Sequence, residues 1–286
     1  MPSPSRPIER LKPLLGTFVR IRVEGLAVHQ AHAAISEAFD CIASIQRLMS
    51  FHEPGSDLSR LNRNACRSPV KVDVHTLTVL GKALEIAQGS DGFFDPTIAP
   101  HLVRKGLLPR PAASEPAGGT WRDVSITEAG TVSFARPLWL DLGGIAKGYA
   151  VDCALALLKR YHPLQACVEA GGDLRLSGSR SERVYLDSPC SGHVPALEIE
   201  NAAVASSGSQ EILGRGLVSP HIDTRTGKSC SAGRFVTVIA PTCIEADALT
   251  KIVIAAGPAA GPLLARYDAQ ALLFEDARWH TIAEAA

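Results

Sequence analysis

Residues 138–152, LWLDLGGIAKGYAVD, pass from an apolar run into a helix-forming run through a carboxylate, two glycines and a lysine. The apolar run predicts a strand ending at Asp141 and Leu142, which delivers Gly143 and Gly144 to a helix over 145–161. Glycines at such a junction let a ligand approach the unpaired N–H groups of the helix start. Lys147 falls in the first helical turn, where the positive end of the helix dipole disfavours a cation. Either an anion sits there and Lys147 faces it, or the glycines only make a tight turn and the lysine is solvated.

Working outward, GTFVRIRVEG at 16–25 alternates Val19, Ile21 and Val23 with charged residues, the period of a half-buried strand. A helix follows, because Ile35, Phe39, Ile42, Ile45 and Met49 recur at three- and four-residue steps. Another, around Leu77, Leu80 and Leu84, is expected to stop at Gly89. The Pro-, Gly- and Ala-rich stretch 104–120 reads as a loop. Short strands are expected near Val124, Val132, Leu140, Val168, Tyr185, Ile199 and Val236. Helices are expected from Ile244 to Ala256 and near Leu264, with ALLFED and RWHTI as a closing hairpin. Strands interleaved with helices in this way point to an α+β fold with more than one antiparallel sheet.

The chain has 286 residues and is 46% hydrophobic, enough for one large domain or two packed lobes. Lysine plus arginine equals aspartate plus glutamate at 29 each, so no broad basic field exists to hold a nucleic-acid backbone. Seven cysteines without a C-x-x-C pair read as reduced thiols and argue against zinc. The start, MPSPSRPIERLKPLLG, lacks the apolar core of a secretory signal, and IVIAAGPAAGPLLA is too short to span a bilayer. The expectation is a cytoplasmic protein without membrane insertion.

Four further segments carry candidate chemistry. GSDGFFDPTIAP at 89–100 sets Asp91, Asp95 and Thr97 around two phenylalanines, as a turn followed by an extended Asp-Pro step or as part of a site. VEAGGDLRLSG at 168–178 places Asp173 after a Gly-Gly that makes either a hairpin turn or a close approach to a ligand. HIDTRTGK at 221–228 holds His221, which could act as a base near neutral pH or be an ordinary surface histidine. EADALTKIV puts Asp247, Thr250 and Lys251 on one helical face, as a grip for a hard cation or as an Asp247/Lys251 ion pair.

In order and wording, MSFHEPGSDLSRLNR, SDGFFDPTIAP, LDLGGIAKGYAVD, AGGDLRLSG, SSG, HIDTRTG and VIAPTCIEADALTK resemble the ApbE family of FAD:protein FMN transferases. The resemblance runs from about Leu15 to Gly257. It implies an ApbE-like (T-fold-like) α+β fold of mixed, largely antiparallel sheets packed against helices. Residues 1–286 then form one such domain, or two closely packed lobes, behind a flexible N-terminus at 1–14. It also implies a magnesium-dependent enzyme that cleaves FAD and attaches FMN by a phosphoester bond to a threonine or serine of an acceptor protein, releasing AMP.

By the same resemblance Met49, Phe93, Phe94, Asp95, Gly143, Gly144, Lys147 and Asp173 attend the cofactor. Gly144 (through its carbonyl), Asp247 and Thr250 hold Mg2+, while His221 and Lys147 serve the reaction. The sequence departs from the family pattern at Lys251, where a metal-ligating threonine is usual, leaving Thr250 one residue early. Thr224 stands where proline is common, Ser209 and Gln210 replace an expected aromatic, and Glu169 replaces a common asparagine. Lys251 bears most on function: either it swings outward and Thr250 completes a magnesium site, or its ammonium takes the cation position beside Asp247. An FAD pyrophosphatase using water, and a flavin-binding protein without catalysis, are the alternative readings.

Overall fold

The computed structural model describes residues 6–186, 196–212 and 216–282. In chain order the first elements are strands β1 (Ile8–Leu14) and β2 (Thr17–Glu24), helices α1 (Val28–Met49) and α2 (Asp57–Asn64), strand β3 (Val70–Lys71) and helix α3 (Val74–Gly89). Helix α4 (Ala99–Arg104), strands β4 (Val124–Ile126) and β5 (Thr131–Phe134) and helix α5 (Ala146–Lys159) follow. Strands β6 (Gln165–Ala170), β7 (Asp173–Gly178), β8 (Glu182–Tyr185), β9 (Ala196–Ile199) and β10 (Ala203–Gly208) come next. The chain continues through β11 (Gln210–Ile212), β12 (Gly216–Val218), β13 (Phe235–Ala240), α6 (Cys243–Ala256), α7 (Gly261–Arg266), β14 (Gln270–Glu275) and β15 (Arg278–Ile282).

These elements fall into two compact units, one of residues Met1–Ser44, Lys147–Gly208 and Gly233–Ala286, the other of Ile45–Ala146 and Ser209–Ala232. The first unit is built on an eight-stranded sheet in the order β1-β2-β6-β7-β10-β13-β14-β15, with every neighbouring pair antiparallel. Val19, Ile21 and Val23 of β2 are buried on one face while Arg20 and Arg22 point to the other. In α1, Ala31, Ala34, Ile35, Ala38 and Phe39 form the apolar stripe, all essentially inaccessible to solvent. Helix α6 lies against β7, β10, β13 and β14. The stretch Cys243–Arg266 has a mean hydropathy of 1.5, as a membrane span would, yet half of that window is buried in the fold and Gly257 (φ 59°) breaks the helix.

The Gly171-Gly172 step is the turn of the β6–β7 hairpin. Both glycines have positive φ (57° and 93°) between the paired residues Ala170 and Asp173, the backbone that a tight two-residue hairpin demands. The turn therefore delivers Asp173 to the first position of β7.

In the second unit β3, β5 and β4 form a small antiparallel sheet beside α2, α3 and α4. The buried Asp57 carboxylate joins α2 to the start of α3 by accepting the Asp73 N–H (2.7 Å) and the Thr76 hydroxyl (3.0 Å).

Two expectations are corrected. The N-terminus is not a flexible arm throughout: residues 8–14 pair with β2 from Ile8↔Val23 to Leu14↔Thr17. This is an edge strand, so its mostly exposed side chains carry no period-two hydrophobic signal, and Pro13 is tolerated there. The apolar run 138–142 is extended but belongs to no strand ladder. Leu138, Trp139, Leu140 and Leu142 are buried, and the Asn62 side-chain amide takes the place of a neighbouring strand. It donates to the Leu140 carbonyl (3.0 Å) and accepts the Leu140 N–H (2.7 Å), while the Asp141 N–H goes to the Pro96 carbonyl (2.8 Å).

Candidate functional site

In the first unit, four charged side chains from three elements meet. Lys147 Nζ of α5 donates to Asp173 Oδ2 of β7 and to Asp247 Oδ2 of α6, the latter at 3.3 Å. Lys251 Nζ, one helical turn beyond Asp247, donates to Asp247 Oδ1 and to Ser207 Oγ of β10 (3.1 Å). The Thr250 hydroxyl donates to the Asp247 carbonyl (2.7 Å) and lies 2.8 Å from Ser207 Oγ. Both carboxylates are buried, whereas the Lys147 and Lys251 side chains remain 28% and 21% exposed.

Close contact between α5 and α6 makes this cluster possible. A Cβ on Gly148 would stand 2.2 Å from the Cys243 carbonyl oxygen, and the Gly148 N–H donates to Asp247 Oδ2 (3.1 Å). Asp152, one turn further along α5, accepts the N–H groups of Cys243 and Ile244, each at 2.9 Å. It thereby caps α6 where Thr242 makes no side-chain cap bond, and Arg175 of β7 pairs with it at 2.6 Å.

The electrostatics follow from burial and pairing. Desolvation first, then repulsion from Asp247, pushes Asp173 up to about 6, with Lys147 opposing. Burial alone would raise Asp247, but Lys147 and then Lys251 outweigh it and hold that carboxyl well below its usual range. Burial disfavours the Lys147 ammonium, yet Asp247 and Asp173 more than offset this and raise its pKa.

The other site residues expected from the sequence lie in the second unit. Met49 and Phe94 are each only 6% exposed. Phe93 is half-buried, with the Arg225 guanidinium 4.4 Å from its ring centre. Asp95 caps the start of the 3-10 turn Pro96–Ile98. Its Oδ1 accepts the Thr97 N–H and hydroxyl (both 2.8 Å) and its Oδ2 the Trp121 N–H (3.2 Å), while burial raises its pKa. Gly143 and Gly144 form the turn before α5, where Asp141 accepts backbone N–H bonds from Gly143 and Leu142 while burial raises its pKa.

His221 opens a loop organised by Asp223, whose Oδ1 accepts the Arg225 N–H (3.0 Å) and whose Oδ2 accepts the Thr226 hydroxyl (3.0 Å). The His221 carbonyl accepts the Cys230 N–H (3.0 Å). Thr224 donates its hydroxyl to the Gly92 carbonyl, tying this loop to the phenylalanine turn. A proline there would lack that donor.

The structure thus brings together Lys147, Asp173, Asp247 and Thr250 from the expected set, with Lys251 among them. Sequence reasoning missed Gly148, Asp152 and Ser207; Gly148 and Asp152 stand inside the GYAVD end of the opening stretch, and Ser207 inside SSG. Glu169 is bound by Arg20, with Nε at 2.9 Å from Oε2. Side chains 210–212 lie outside the described set, so the Gln210 departure has no structural account.

The magnesium that the resemblance implies would have to find its ligands in this donor set. Each oxygen of Asp247 already accepts from an ammonium group, and the Thr250 hydroxyl is turned to the Asp247 carbonyl. Of the cluster's four charged side chains, only Asp173 has a buried oxygen, Oδ1, without a hydrogen-bond partner. Two carboxylates and two ammonium groups sum to zero charge. A divalent ion about 4 Å from one ammonium is repelled by about 8 kcal/mol at an effective dielectric near 20, offsetting what a carboxylate returns. Mg2+ also dehydrates reluctantly and demands octahedral oxygen ligands. The side chains as arranged do not fit it, and among the described residues no group of three or more His, Cys, Asp or Glu side chains could hold a metal.

Comparison with solved structures defines the fold class. The chain superposes on the flavin transferase ApbE from Vibrio cholerae with a TM-score of 0.83 over 98% of both chains, at 24% identity. It superposes on the ApbE protein from Thermotoga maritima with a TM-score of 0.84 over 97% of both, again at 24% identity. The ApbE family profile matches residues 15–274, and the chain belongs to that family. It is 30% identical to the FAD:protein FMN transferase of Chlamydia pneumoniae, over 83% of this chain and 81% of the relative. It is 29% identical to the FAD:protein FMN transferase of Treponema pallidum, over 85% and 77%.

Proposed function

We propose that this protein is an FAD:protein FMN transferase that moves FMN from FAD to a serine or threonine hydroxyl of an acceptor protein and releases AMP. The observation that carries the proposal is the family match over residues 15–274, with relatives of that activity aligned along most of both chains. In the balanced step the acceptor oxygen bonds to the FMN phosphorus and the bond from that phosphorus to the bridging oxygen breaks. AMP leaves with the electron pair, and the hydroxyl proton passes to a base. Charge grows on the phosphate oxygens as this happens, so fixed positive groups lower the barrier.

On this reading Lys147 faces the phosphates, Gly143 and Gly144 admit them to the start of α5, and His221 is the base. Met49, Phe93 and Phe94 attend the flavin, while Asp95 and Asp173 hold their neighbours in place. Asp95 does so because both its oxygens are committed to Thr97 and Trp121. Magnesium at Gly144, Asp247 and Thr250 would be the alternative source of that positive charge, once an ammonium group has left Asp247. Six cysteines outside any disulfide among the described residues support placing the reaction in the cytoplasm; Cys190 lies outside that set.

Incubation with FAD and a peptide bearing an Asp-x-x-Thr acceptor sequence tests the proposal by mass spectrometry. A peptide heavier by FMN less one water, with equimolar AMP, is the expected result. AMP with free FMN and unmodified peptide would identify a hydrolase instead, and intact FAD across a panel of acceptors would end the enzymatic reading.

A further inference from the structure

Resting on the transferase reading, we propose that Lys251 supplies, together with Lys147, the positive charge that offsets the FAD pyrophosphate, so that this protein binds FAD without a divalent metal. Both ammonium groups converge on one buried carboxylate, Lys147 on Asp247 Oδ2 and Lys251 on Asp247 Oδ1. An ammonium group has three N–H donors. Lys147 uses two, on Asp173 and Asp247, and Lys251 uses two, on Asp247 and Ser207. Each retains one, on a side chain still in contact with solvent.

The pair is therefore placed, not free to wander, and each member can add one charge-assisted hydrogen bond to a phosphate oxygen. Asp247 fixes both ammonium groups, and the Gly148 N–H holds Asp247 Oδ2 in turn. Ser207 reads the rest of the arrangement: it accepts from Lys251 and contacts the Thr250 hydroxyl, so Thr250 serves the lysine's support and is not turned outward as a ligand. Binding a phosphate here requires no displacement of the cluster, whereas binding a divalent ion requires expelling an ammonium group from Asp247.

The test measures FAD affinity of the full-length protein by calorimetry, in EDTA and in millimolar MgCl2, with Mn2+ paramagnetic resonance as the direct metal probe. The expected result is the same affinity within about twofold in both buffers, and a free Mn2+ signal undiminished by FAD-loaded protein. Lys251→Met, which keeps the aliphatic stem, should weaken FAD binding in EDTA by about tenfold or more through loss of one charge-assisted hydrogen bond. Magnesium strengthening wild-type binding by about tenfold, stoichiometric loss of the Mn2+ signal, or unchanged affinity in Lys251→Met would each overturn the assignment and leave the transferase reading standing. Should Lys251→Met fail to fold, the two wild-type measurements decide. Absence of FAD binding in both buffers would remove the assignment and the proposed function together.

Discussion

The charge cluster of the first unit and the loops of the second use polar groups in opposite ways. Around Asp247, charged side chains from α5, α6 and β7 satisfy one another across long sequence separations and leave two ammonium groups with unused donors. In the 89–100 and 221–228 segments the carboxylates of Asp95 and Asp223 are spent on nearby backbone and hydroxyl groups. One region stores charge that a ligand can use, while the other spends its charge on loop shape and keeps the Phe93 ring half-buried beneath Arg225. Motif wording alone makes both look equally catalytic, so the accounting of donors and acceptors is what separates them.

The comparison breaks most readily at Asp247. Replacing it with alanine leaves two ammonium groups without their shared partner and is expected to cost about 3 kcal/mol, read by urea unfolding. The double variant Asp247→Ala/Lys251→Met should recover part of that loss, and equal stability of the single and double variants would contradict a charge-balanced cluster. Asp223→Ala removes two local bonds and should cost about 1–2 kcal/mol, with FAD affinity falling through loop disorder alone. Smallest is Thr224→Val, which loses the hydroxyl bond to Gly92 at about 1 kcal/mol; no change in stability would show that the two loops are held by other contacts.

Much of this was legible in the sequence where the signal is local. The α1 stripe, the Gly171-Gly172 hairpin and the closing β14–β15 pair all announce themselves through periodicity or turn chemistry. The ends of α5 and α6 fall within a residue or two of expectation. Sheet order did not show, because β2 pairs with β6 across the 45–146 portion of the second unit. Helix α2 escaped notice because only Leu58 and Leu61 supply its buried apolar face. The question posed by Lys147 was visible, but not the protein's own reply. Its acidic partners are 26 and 100 residues away, and nothing in the local pattern links a lysine to carboxylates at such distances.

The sheet's connectivity bears on how the chain is made. β1 and β2 are made well before their partner: the strand that covers the β2 edge, with Val19 opposite Ala170, is synthesised only after the entire 45–146 insert. An uncovered strand edge is a template for pairing with other chains, and long loop closures slow folding. Nascent chains are thus most exposed to such pairing in the interval before β6 arrives.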